Sequence, residues 1–159
     1  MGFLSVLTER FQAELERQRN RPFLRASMAA CALVAAADGE VSLGERVRVD
    51  QILETLESLR VFDPHEGVDL FNGFSDAILQ HPKEGHASAL QLVLDFVEGE
   101  PTTAHLLIRV CLAVSEANGE KNLADQIEIV SLCSQMGIDP ETVGLYTPDS
   151  LVEESAKHS

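Results

Sequence analysis

Two stretches of the chain set oxygen-bearing side chains in matching order. Residues 36–45 read AADGEVSLGE and residues 116–125 read EANGEKNLAD. Each places Asp or Asn before a glycine, Glu after it, and a second acid six residues beyond it. Carboxylate and amide oxygens are ligands for hard cations, so the donor set suits calcium, magnesium or manganese better than zinc. The first stretch fits the second half of a calcium-binding loop. The first half fails, because its ligand positions hold Val34 and Ala36, which offer no side-chain oxygen. A lone EF-hand is therefore excluded. Calcium takes about six to eight oxygens, and one stretch supplies too few. The two together could supply Asp38, Glu40, Glu45, Glu116, Asn118, Glu120 and Asp125.

Turn chemistry competes for the same residues. Asp-Gly and Asn-Gly favour bends, since glycine reaches positive φ cheaply. Ser42 and Glu45 have the spacing of a capping box, in which serine and glutamate each bond the other's backbone N–H. Asn122 and Asp125 form a weaker equivalent. Caps and turns account for Ser42, Glu45, Asn122, Asp125 and both glycines. They leave Glu40 and Glu120 unexplained, two identical residues on loops.

The elements that must carry these loops read as helices. Apolar residues recur at spacings of three and four along almost the whole chain. Phe3, Leu4, Leu7, Phe11 and Leu15 form a first stripe. A second helix is expected from Pro22 to Asp38-Gly39, a third from Ser42 to about Leu59, and a fourth from the Asp63-Pro64 start to Gln80. Pro82 and Pro101 open a fifth and a sixth, since proline suits a first helical turn. A seventh runs from Asn122 to Met136, with Gly137 as its stop. No segment alternates with period two. The expected fold is all-α: a single bundle of about seven helices.

The repeat extends past the loops. Aligned at an offset of 80, residues 31–56 and 111–136 share Cys31/Cys111, Val34/Val114, Ala37/Ala117, Gly39/Gly119, Glu40/Glu120 and Leu43/Leu123. A helix–loop–helix unit thus occurs twice. Its first helix is rich in small residues that let helices approach closely. The simplest arrangement packs the two units about a pseudo-twofold axis and brings both loops onto one acidic surface.

The chain has 159 residues and a formal net charge of −14. Phosphate recognition needs a basic footprint, so nucleic-acid binding is excluded. Residues 1–25 hold five Arg and three Glu, an excess of positive charge beside an apolar stripe. That combination allows weak peripheral association with an anionic bilayer. The competing reading packs this helix on the core with its arginines in solvent. No run of 18 apolar residues predicts a membrane span. Cys31, Cys111 and Cys133 lie in apolar helical runs without metal or disulfide spacing. They read as buried free thiols of a cytoplasmic protein. No serine–histidine–acid order, zinc-protease motif or phosphate-binding glycine loop appears, and the histidines read as surface or loop residues. An enzyme is the least supported class.

At this point the sequence resembles a known family. The run AADGEVSLGE with VRVDQILETL after it, and the later RVCLAVSEANGEKNLADQIEIVSLCSQMGIDP, look like the two halves of the TerB family of tellurite-resistance proteins. The N-terminal module of some membrane-tethered DnaJ-type co-chaperones shares the pattern. The similarity covers nearly the whole chain and implies a domain over residues 3–146, with 147–159 as a flexible acidic tail. The resemblance implies a non-enzymatic helical protein of bacterial stress resistance, working beside a TerC-type membrane protein and TerD-type calcium-binding proteins. It also implies metal binding at the loop acids, carried here by Asp38, Glu45, Asn118 and Asp125, with Glu40 and Glu120 as further candidates. The family usually has Asp where this chain has Asn118, which weakens the second half-site. The alternative is a protein-interaction module without metal, its acids serving as caps and solvated surface.

Overall fold

The computed structural model of the chain describes residues 2–118 and 123–143. It contains α1 (Phe3–Ala35), α2 (Leu43–Thr55), α3 (Pro64–Gln80), α4 (Pro82–Val97), α5 (Pro101–Ser115) and α6 (Leu123–Met136). Short 3₁₀ turns occur at Glu57–Leu59, Glu116–Asn118 and Pro140–Val143. The described residues include no strand. The all-α expectation holds, but six helices stand among the described residues where seven were expected.

The difference lies at Pro22. Proline normally ends or starts a helix, because it lacks an N–H and crowds the carbonyl four residues back. Here α1 runs through it for 33 residues. Pro22 is exposed and lines an open cleft with Gln18, Arg25, Leu92 and Phe96. The carbonyl left without its helical partner therefore belongs to exposed Gln18. The cost of an interior proline, about 3 kcal/mol, is offset by the burial that begins one residue later.

From Phe23 to Ala36 every residue except Arg25 is buried. This half of α1 is apolar on all sides, the signature of a central helix. It packs against α3, α4, α5 and α6. Five of its buried residues are alanines, Ala26, Ala29, Ala30, Ala32 and Ala35, and its buried C-cap Ala36 adds a sixth. Small side chains let the surrounding helices close in, since helix spacing depends on the side chains at the contact.

Local chemistry sets the helix ends. Ser42 Oγ accepts from the Glu45 N–H at 3.1 Å and Glu45 Oε1 accepts from the Ser42 N–H at 2.9 Å, completing the expected capping box. Asp63 caps α3 by accepting from the His65 N–H at 2.9 Å. Gly137 ends α6 with φ +74°, and the Ile138 N–H reaches back to the Cys133 carbonyl at 2.8 Å, the bond pattern of a glycine stop. Between α3 and α4 the chain turns so tightly that a Cβ on Gly85 would lie 2.5 Å from the Ala77 carbonyl oxygen.

Candidate functional site

The first repeated loop leaves the end of the buried α1. Gly39 has φ +86°, and Asp38 Oδ1 accepts from the Glu40 N–H at 3.1 Å, closing the bend. Asp38 and Glu40 are exposed. Three residues after Ser42 begins the next helix, the chain turns inward. Glu45 is only 2% exposed, with Val49, Ile52 and Leu53 buried beyond it on the same face of α2.

The second unit repeats this pattern of burial. Asp125, in the first turn of α6, is 1% exposed and is followed by buried Ile129, Leu132 and Cys133. The outward positions also correspond. Leu43 and Val47 on α2, and Leu123 and Ile127 on α6, are all exposed aliphatics. The turn at Glu116–Asn118 packs against α2.

These contacts gather acids from both units. Asp125 is held well above the ordinary carboxylate range, at about 7. Burial is the main cause, because desolvation penalises the charged form. The negative charges of Glu45 and then Asp38 add to it. Among the described residues neither buried Asp125 carboxylate oxygen has a hydrogen-bond partner. A buried polar group left in that state costs about 1–3 kcal/mol, so the site stores an unmet demand for a proton, a donor or a cation.

Not every sequence candidate joins this group. Glu40 and Glu116 are exposed and are not among the charges acting on Asp125. Glu120 and the proposed cap Asn122 lie outside the described residues, as does the side chain of Asn118. Among the described residues no three of His, Cys, Asp and Glu gather closely enough to hold a metal ion. The orphaned Asp125 oxygens fit a cation's needs, but the described residues do not form a full coordination shell.

One polar pair gave no signal in the sequence. His86 on α4 and Glu128 on α6 meet at 2.7 Å. They line a cleft of about 450 Å³ that also borders Gly39, so a half-exposed histidine of the surface ties two helices together beside the first acidic bend. The pair stand 42 positions apart in the chain, which leaves no local spacing to read. The three cysteines are free and buried, as expected. Burial pushes the thiols up, Cys31 to about 12 and Cys133 to about 11.

Fold and site together define an all-helical acidic module with a buried acid from each of two related units brought into electrostatic contact. The family model described as tellurite resistance protein TerB matches residues 24–145, and the chain belongs to the TerB family. It is also 28% identical over 109 residues to an Alcaligenes protein named tellurium resistance protein TerB, covering 69% of this chain and 88% of that one. No solved structure gives a significant match. Among the described residues no helix is long and apolar enough to cross a membrane.

Proposed function

We propose that this chain is a non-enzymatic, tellurite-resistance-like stress protein of the cytoplasm that couples divalent-cation occupancy at its paired acids to docking on a membrane-bound partner. The observation that carries the reading is Asp125: buried, without a hydrogen-bond partner among the described residues, and facing the charges of Glu45 and Asp38. Calcium, magnesium or manganese suits oxygen donors of this kind. The two helix–loop–helix units, related by a pseudo-twofold, would each contribute one half of the locus. Family membership supports the stress-resistance role; on this reading the partners are of the TerC and TerD type.

A second reading has its own support. Glu45 is already engaged in a capping box, and no complete metal group is found among the described residues. On this reading the module binds proteins alone. Thermal melts in calcium, manganese and zinc at pH 8 separate the two. A cation that binds only the folded chain stabilises it by about 2.7 kcal/mol at a hundred times its Kd. The cation reading expects a rise in Tm that Asp125→Asn or Glu45→Gln abolishes. No shift at millimolar calcium or manganese supports the interaction module.

A further inference from the structure

The N-terminal part of α1 leaves the body as a rod. Arg17 Nε donates to the Val61 carbonyl at 2.9 Å and Arg21 pairs with Glu66 at 2.8 Å, which ties residues 17–21 down. Before them Phe3, Leu4, Val6, Leu7, Phe11 and Leu15 are between 41% and 76% exposed. Residues 3–16 extend about 21 Å at the helical rise. The family match begins at residue 24, so this arm lies outside it. Because the arm is continuous with the buried core helix, its direction is fixed by the fold.

The charges decide what can cover it. The positive excess of residues 1–25 comes from arginines at the root of the arm, two of which are bound to the body. Residues 3–16 hold three Glu and one Arg. An anionic bilayer would therefore meet a negative rod joined to a strongly acidic body.

We propose that the arm pairs with the same arm of a second copy of this chain, antiparallel and centred on Phe11. The stripe Leu4, Leu7, Phe11, Leu15 and Gln18 keeps to one side of the helix. In this register Phe11 meets Phe11, Leu7 meets Leu15 and Leu4 meets Gln18. Glu14 of each copy lies within one turn of Arg10 of the other, on the same flank. A parallel pair would instead set Glu14 against Glu14 and Arg10 against Arg10, and would place two acidic bodies side by side. The antiparallel pair holds the bodies at opposite ends, more than a Debye length of about 8 Å apart. Five side chains on each copy, offering on the order of 100 Å² each, give a symmetric interface of about 1,000 Å² in all, the size of a weak, concentration-dependent association.

Sedimentation equilibrium of the full chain from 1 to 200 μM tests this. The expected result is a mass rising from 17.4 kDa toward twice that value, and remaining at the monomer value for Phe11→Glu. Register is read from single cysteines. Phe11→Cys should cross-link into a dimer under mild oxidation, because the twofold sets residue 11 against itself. Leu4→Cys should not, since antiparallel pairing holds the two copies of residue 4 about 20 Å apart. The buried native thiols serve as the unmodified background. A monomer at every concentration overturns the proposal, as does equal cross-linking at both positions. Flotation of a monomeric chain with anionic vesicles, lost on Phe11→Glu, also overturns it and assigns the arm to a membrane.

Discussion

Replacing Asp125 by Asn removes one titration from the core and leaves shape nearly unchanged. In the folded, metal-free chain Asp125 holds its proton to about pH 7, against an ordinary value of 3.8. Between those values the unfolded chain has lost the proton and the folded chain keeps it. The folded state then binds more protons, so stability falls as pH rises through this window and levels off above it. Three pH units at about 1.4 kcal/mol each give about 4 kcal/mol. Asn does not titrate, and the other acids are common to both chains. The stability of Asp125→Asn relative to wild type should therefore climb by about 4 kcal/mol between pH 4 and pH 8. For a chain of this size that is a relative Tm gain of roughly 8–16 °C. Urea unfolding followed by far-ultraviolet circular dichroism, with a chelator present, measures it directly. Because desolvation is the larger cause and Glu45 the lesser, Glu45→Gln should reproduce only the smaller part of the climb. Stability curves that stay parallel within about 1 kcal/mol from pH 4 to 8 would refute the reasoning, since they would show Asp125 titrating as an exposed acid does.

Other consequences follow from named contacts. Ser42→Ala removes half of the capping box and should cost about 1 kcal/mol in urea unfolding, with the Glu45 to Ser42 N–H bond retained. Gly85→Ala drives a Cβ into the Ala77 backbone and should cost about 1–3 kcal/mol as overpacking does, whereas Gly73→Ala, where the added Cβ meets nothing within 4 Å, should gain stability by helix propensity. The three thiols should resist a disulfide reagent at pH 8 in the native state and all react in urea, because burial keeps each of them protonated. Rapid native labelling of Cys111 would contradict its burial.

Much of this architecture was legible because it is local. Prolines at 64, 82 and 101, the glycine stop at 137 and the Ser42 box act within a turn of themselves, so their spacing alone reveals them. Pro22 misled for the same reason. Its local effect is to break a helix, and what overrides it is the burial of residues 23–36 against four other helices, which no short window contains. The acids show the same division. Sequence spacing could place Glu45 and Asp125 at equivalent helix starts, where carboxylates usually cap and face water. It could not show that both turn inward while Leu43, Val47, Leu123 and Ile127 turn outward. That inversion is the informative feature of the site. In an amphipathic helix the apolar residues would take the core side and the acids the solvent side. Here two helices each set a carboxylate at the edge of the core and leave aliphatics in solvent. Burying Asp125 without a donor costs stability that capping does not explain, since a cap needs a backbone N–H and Asp125 has none among the described residues. A proton meets that demand near pH 7 and below. Above it the described residues offer Asp125 no donor, so its charge stays buried beside those of Glu45 and Asp38.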